Sequence, residues 1–321
     1  MKLVPGVVGS KSVEAAVSRK TEAFARGTKL FENQYERPVF LMAHHDDELS
    51  QAGLFQRLGP FMQAVWVTNS DGLYFESDLT PPEYGVLRMK EGVASVAMAG
   101  IPESATRCYA YSEVEIYRWL SEINSGKTTM QAASAYFDRI RRDVRNAVFE
   151  LQPDALFTLA WQGGQPEHDL VHFFTMLAVR DFEKETGHLI DFFHMPAYEY
   201  TILVAHRFHP LYRGERIRIR LTDAEMDIKL KMVAQYPSQE RLFNDFQKVF
   251  KLIGKFGYVT GGPRNATEWL GTEEFGPVPR DIDYTKNTHV FDRCTYINDD
   301  FEGAPVTFKG SIKPIIEWYL K

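Results

Sequence analysis

The sequence predicts an α/β protein, a Rossmann-like and mostly parallel sheet flanked by helices, with a strand-rich and irregular C-terminal part. Three observations predict it. Short apolar runs of the length that fully buried parallel strands require, at 38–43, 64–68 and 154–160, alternate with segments whose apolar residues recur at helical spacing. Alternation at this spacing is the pattern of right-handed βαβ units in a doubly wound sheet. Two of the runs stop abruptly in polar, histidine-bearing loops, and such a sheet binds its ligands beyond the carboxyl ends of its strands.

The run at 38–43 ends in His44-His-Asp-Asp-Glu48, and residues 49–58 then read as a helix with acidic side chains at its start, where the helix dipole favours them. Residues 64–68 form the next strand. Asn69-Ser-Asp-Gly72 turns it into a loop rich in aromatics, Asp and Pro that runs to about Tyr84. A helix is expected over 85–99, with Val86, Met89, Val93, Val96 and Ala97 roughly on one face and Gly100 as its stop. Residues 106–111 read as a short strand, and 130–151 as the longest helix, closed by Pro153. The basic cluster Arg139-Ile-Arg-Arg142 belongs to that helix's solvated face. After the strand at 154–160 come the loop Trp161-Gln-Gly-Gly-Gln-Pro-Glu-His168 and an apolar helix over 170–179.

From Leu189 the pattern becomes strand-rich, with strands over 192–204 and 216–220, then helices over 223–236 and 241–254. The tail after Phe256 is punctuated by Gly and Pro and reads as irregular; its segment 261–277 suits a pocket lining and a surface loop equally. No repeat or low-complexity linker marks a clean boundary. The expected division is a main domain over 1–245 and an extension over 246–321 packed on it, shaping the cleft or a subunit contact.

The 321 residues, 44% hydrophobic and 25% charged, match a soluble globular protein. A net charge of -6 and a pI near 5.9 offer no basic field, which argues against a nucleic-acid partner. Cys108 and Cys294 lack CxxC spacing, so neither a disulfide framework nor a cysteine metal site is indicated. The apolar stretch at the N-terminus is too short, and too broken by Pro5 and Gly6, for a signal peptide. With no run of about 18 apolar residues, no membrane insertion and a cytoplasmic location are expected.

His44-His-Asp-Asp-Glu48 concentrates imidazole and carboxylate groups, a density that costs repulsion unless a cation offsets it. A catalytic zinc takes three protein ligands of this kind and leaves one position open. His44 and Asp47, three apart in a turn leading into a helix, would converge on one point, with Asp46 beside it as a base. Taken alone, the motif reads equally well as a helix N-cap. His168, taken alone, reads more readily as an exposed loop histidine, although Gly163 and Gly164 before it suit a close backbone approach to a ligand. Two strand-end loops offering His/Asp and His favour the metal reading.

At these residues the chain resembles the PIG-L/LmbE-like N-deacetylases. Ala43-His-His-Asp-Asp-Glu48 is similar to their AHPDDE signature, Asn69-Ser-Asp-Gly72 to their T-D-G loop, and Arg88-Met-Lys-Glu91 to their R-x-x-E helix start. Gln152-Pro-Asp154 resembles their P-D-x-V element, Gly164-Gln-Pro-Glu-His168 stands where they have G-H-P-D-H, and Tyr236-Pro-Ser-Gln239 resembles their Y-x-S-Q. The matches span about residues 36 to 240. The resemblance implies zinc on His44, Asp47 and His168, with Asp46 as the general base, and a small-molecule N-acyl amino sugar as substrate, its acetyl group removed by hydrolysis. Homo-oligomerisation stays open.

Three departures stand out. His45 replaces the signature proline and keeps the ligands. Glu167 replaces an aspartate and either orients His168 or faces solvent. Gln165 replaces a histidine that in the family stabilises the oxyanion or donates a proton; an amide donates a hydrogen bond but is no acid. That last change keeps two alternatives in view, a sugar- or metabolite-binding protein without turnover, and a metal-dependent hydrolase of another amide or ester. For substrate contacts, Arg88 reads as a clamp or as a helix salt bridge to Glu91, and Asp71 as a sugar-hydroxyl acceptor or a turn former. Tyr74, Phe75 and Tyr84 read as ring-stacking or lid residues or as core. His172, one turn beyond His168, reads as packing rather than as a fourth ligand, and His194, His206 and His209 have no spacing for a second metal site.

Overall fold

Strands β2 (Pro38–Met42), β3 (Gln63–Thr68), β4 (Thr106–Tyr111), β5 (Ala155–Leu159) and β6 (Asp191–Met195) run parallel in the order β6-β5-β2-β3-β4. Every residue of β2 and of β5 is buried, which is why both read as unbroken apolar runs. Their register stacks Phe40, Phe157 and Phe193 into a column across three strands, with ring centroids 4.5 and 4.9 Å apart. Three antiparallel strands extend the β6 edge in the order β10 (Thr272–Pro277), β9 (Ile217–Arg220) and β1 (Val7–Gly9). Two short ladders lie apart from this eight-stranded sheet: β7 (Tyr198–Glu199) with β8 (Val204–Ala205), and β11 (Asp300–Phe301) with β12 (Ala304–Pro305). The expected Rossmann-like, mostly parallel sheet is the one the chain forms.

This computed structural model describes residues 7–9, 35–199, 204–209, 212–245, 270–286, 296 and 299–321. The expected strand at 200–203, helix at 246–254, segment 261–269 and Cys294 lie outside them; residues 240–245 are helical. Among the described residues no helix is long and apolar enough to cross a membrane.

The chain moves outward from β2 through β3 to β4, then returns to lay β5 on the other side of β2. The loops after β2 and β5 therefore leave neighbouring strands and turn in opposite directions, opening a crevice between them. Both histidine-bearing loops sit at this switch point.

The helices are α1 (Ala52–Leu58), α2 (Pro81–Met98), α3 (Glu113–Asn124), α4 (Met130–Leu151), α5 (Pro166–Thr186), α6 (Asp223–Val233) and α7 (Lys313–Tyr319). Several boundaries differ from expectation for local reasons. A 3-10 turn, Asp47–Gln51, precedes α1. Helix α2 starts at Pro81, not at residue 85, because Thr80 and Glu83 form a capping box and the prolines occupy first-turn positions that need no N–H. Helix α3 was not expected at all; the Ser112 hydroxyl caps it at the Glu115 N–H, 3.2 Å away. Helix α5 begins at Pro166, so His168 lies within its first turn.

The largest correction concerns residues 272–277, which are neither pocket lining nor surface loop. They form β10 between β9 and β6, with Glu273 and Glu274 wholly buried. Glu273 accepts the N–H groups of Gly53 at 3.0 Å and Leu54 at 3.2 Å, at the N-terminus of α1, and pairs with Lys229 Nζ at 2.9 Å. Removing one partner leaves a buried charge unanswered. Glu273→Ala is therefore expected to lower stability by about 3–5 kcal/mol, read from urea denaturation midpoints.

Candidate metal centre

Beyond β2 the backbone turns so that Asp47 Oδ2 accepts two N–H groups, from Ala43 at 3.0 Å and His44 at 2.7 Å. That fixes the carboxylate and leaves Oδ1 facing the loop after β5, 3.2 Å from His168 Nε2 and 4.0 Å from His44 Nδ1. The two imidazole nitrogens are 2.9 Å apart. A triangle with these edges has a centre about 2 Å from each corner, the length of a zinc bond to imidazole nitrogen or carboxylate oxygen. All three side chains are buried. Burial pushes the His44 imidazole down to about 3, so it is neutral and carries a lone pair. Burial works against the Asp47 charge, yet the His168 and His44 imidazoles and the His44 N–H hold its carboxyl below the usual range. Two imidazoles and a carboxylate gathered on one point form a donor set that fits a divalent ion.

Asp46 has a φ of 122°. A side chain in that region strains the backbone by about 1–3 kcal/mol and persists where its surroundings over-determine it. Here its N–H donates to Glu48 Oε2 at 3.0 Å, and its carboxylate receives Arg88 Nη2 at 2.8 Å. Glu48, fully buried, is held by the hydroxyls of Ser95, at 2.7 Å, and Tyr236. Burial pushes the Asp46 carboxyl up to about 8, with Arg88 pulling the other way and Asp47 and Glu48 adding to the rise. Its side chain keeps 23% of its surface accessible, unlike the three residues around the triangle.

The remaining expected site residues fall into two groups. Arg88 is buried; its guanidinium donates to the His45 carbonyl, to Asp46, and to Glu91 at 3.2 Å, and lies over the Tyr236 ring. Asp71 is buried too, accepting the Val114 N–H at 3.1 Å, the Ser112 hydroxyl at 2.7 Å and the Asn69 amide at 3.1 Å, which ties the loop after β3 to α3. Tyr84 accepts from the Gln239 amide at 2.7 Å, and Ser238 donates to Glu91 at 2.5 Å. Tyr236-Pro-Ser-Gln239 is thus a bracket that locks α2 and Glu48 around Asp46. Tyr74 is half-buried on a 3-10 turn, edge-on to an exposed Phe75. Gln165 is the residue before α5, and its side-chain Oε1 is buried with no hydrogen-bond partner. His172 is a packing residue, bonded to the Leu159 carbonyl and the Tyr284 hydroxyl.

Glu113 carried no signal in the sequence. Glu113, in the first turn of α3, is buried with Oε2 3.6 Å from His44 Nε2. It accepts the Gly72 N–H at 3.1 Å, and a Cβ on Gly72 would displace its carboxylate. Glu167 does not face solvent: it is buried close to Glu113, and its Oε2 accepts the Tyr117 hydroxyl at 3.4 Å. Burial, then the Asp71 charge, pushes Glu113 up to about 7; burial and Glu113 hold Glu167 well above the carboxylate range. His206, with a φ of 56°, lies within electrostatic reach of Asp47. The Gln162 amide joins its neighbour Arg207 to the loop after β5.

Among solved structures, the chain resembles a deacetylase of the teicoplanin biosynthesis pathway, with a TM-score of 0.57 and 18% identity over 77% of this chain and 99% of that one. It also resembles the N,N'-diacetylchitobiose deacetylase of Pyrococcus horikoshii, with a TM-score of 0.51 and 16% identity over 84% of this chain and 94% of that one. A third is the A40926 pseudoaglycone deacetylase, with a TM-score of 0.51 and 18% identity over 77% and 98% of the two chains. No family model and no curated protein matches the sequence. At these identities the likeness is one of fold.

His45 is built into this fold. Its ring stacks on Trp66 at 4.6 Å, its backbone N–H donates to Ser70 Oγ at 2.8 Å, and its Nδ1 shares a second hydrogen bond with Ser70 Oγ at 2.9 Å. Gly92 packs so closely on the ring that a Cβ would collide with it. A proline removes both hydrogen bonds and the stacked ring together. His45→Pro is expected to destabilise the protein by at least about 1–3 kcal/mol, the cost of unmaking buried hydrogen bonds, measured by urea denaturation.

Proposed function

We propose that this protein is a zinc-dependent hydrolase that removes an acyl group, acetyl in the first instance, from the amide of an N-acyl amino sugar or a related glycoside. The observation that carries the reading is the triangle of His44 Nδ1, Asp47 Oδ1 and His168 Nε2 at the switch point of the sheet. The fold shared with deacetylases of teicoplanin, A40926 pseudoaglycone and diacetylchitobiose supports it. A zinc ion held by these three side chains would act as a Lewis acid and bring water to a pKa of about 7, within reach of a carboxylate base.

The protein's own groups supply the rest. Asp46, next in sequence to a ligand and held by Arg88, takes the proton of the attacking water and returns it to the departing amine. Arg88 acts through Asp46, which its guanidinium orients, rather than by clamping substrate. The Gln165 amide donates a hydrogen bond to the oxygen that gains charge. Tyr74 and the exposed Phe75 offer aromatic faces to a sugar ring.

Elemental analysis of purified protein is expected to find about one zinc per chain, lost in His168→Ala, with acetate released from N-acetyl amino sugars. Asp46→Asn is expected to keep the zinc and lower kcat by about 10²- to 10⁴-fold. Absence of metal from the wild type would overturn the reading. Gln165 specifically favours a second one, a binding protein without turnover. Zinc-loaded wild type that releases nothing, with activity appearing in Gln165→His, would establish that second reading in place of the first.

A further inference from the structure

An imidazole ligates through one nitrogen, and which nitrogen keeps the lone pair is set by the hydrogen bond the other one makes. His44 turns Nδ1 toward His168 and Asp47. Its Nε2 is buried with no hydrogen-bond partner, and 3.6 Å away lies Glu113 Oε2. A proton on Nδ1 would point at the triangle and spoil it, whereas a proton on Nε2 points at a carboxylate and leaves the lone pair where a cation is held.

Glu113 is placed to receive that proton. It sits in the first turn of α3, where the helix dipole favours negative charge. The Gly72 N–H donates to its Oε2 at 3.1 Å, which holds that oxygen as an acceptor facing His44. Asp71, through the Ser112 hydroxyl and the Val114 N–H, holds the start of α3 against the loop after β3. The carboxylate is thus set by two elements that carry none of the three ligands.

We infer that Glu113 is the positioning residue that accepts the Nε2–H of His44 and so aims Nδ1 into the metal centre. This rests on the metal reading above. Carboxylate partners of ligating imidazoles fix the tautomer and ring orientation, and losing one weakens metal binding by about 10- to 100-fold. Asp71 and Gly72 acquire a purpose through it, since both hold Glu113 in place rather than touch substrate.

The test has two readouts besides activity. In metal-free wild-type protein labelled with ¹⁵N-histidine, NMR is expected to show the His44 proton on Nε2; a proton on Nδ1 would overturn the inference, whatever any variant does. Zinc dissociation constants from chelator competition are expected to rise about 10- to 100-fold in Glu113→Leu, with part of the loss recovered in Glu113→Gln, whose amide oxygen still accepts. A folded Glu113→Leu that binds zinc as the wild type does would also overturn it. Wild type that binds no zinc yet carries the His44 proton on Nε2 would remove the metal reading and leave the Glu113–His44 pairing standing.

Discussion

The constraint on which the rest of this structure depends is the withdrawal of carboxyl groups from water around two imidazoles. Asp47, Glu48, Asp71, Glu113 and Glu167 are all buried, and Asp46 is largely so. Two like charges about 4 Å apart repel by about 4 kcal/mol at the effective dielectric of a protein surface, and by more deeper in. Such a cluster survives only if each member is answered separately. Backbone N–H groups answer Asp47 on one oxygen, Arg88 answers Asp46, the hydroxyls of Ser95 and Tyr236 answer Glu48, and the Tyr117 hydroxyl answers Glu167. What is left over is Asp47 Oδ1 and two imidazole nitrogens turned toward it, which a divalent cation would answer.

The elements that supply these answers come from far along the chain. Helix α2 contributes Arg88, Glu91 and Ser95 on one face, and the turn at Tyr236–Gln239 closes over them. On the other side of α1, β10 inserts Glu273 against the helix N-terminus and Lys229. The strained backbone at Asp46 is the counterpart of this convergence, because a φ of 122° is held only where independent contacts fix the residue from several directions. Site and scaffold are the same hydrogen-bond network seen from two ends.

The parallel strands were legible because burial on both faces removes polar residues, as in Phe40, Leu41 and Met42 of β2 and Ala155, Leu156 and Phe157 of β5. The candidate ligands were legible because they follow those strands directly. Glu113 was not, since its meaning depends on a loop and a helix brought together by the pairing of β3 with β4, and nothing near it in sequence marks it. For Arg88 and Asp71 a substrate contact and an internal one stayed equally open, because sequence shows a charge and not what lies opposite it; the structure supplies the internal partners, Asp46 and Glu91 for one and the start of α3 for the other. β10 was hidden for a related reason: glycine and proline at Gly276 and Pro277 read as loop, while the contacts that make a strand of the segment, to β9 and β6, are tertiary.

On the proposed reading, Gln165 limits how protons can be handled in the centre. An imidazole at that position could give a proton to the leaving amine, whereas an amide can only donate a hydrogen bond. On the proposed reading the whole proton transfer then falls on Asp46, which must first take and later give. Its surroundings suit a group with both duties. Burial, with Asp47 and Glu48 adding to it and Arg88 pulling the other way, pushes the carboxyl up to about 8, and a cation on His44, Asp47 and His168 would draw it back down. A carboxyl brought between those limits takes and returns a proton near neutral pH with comparable ease. On that reading the amide at Gln165 and the strained, Arg88-clamped placement of Asp46 are one arrangement: the second makes a single proton carrier sufficient where the first can be none.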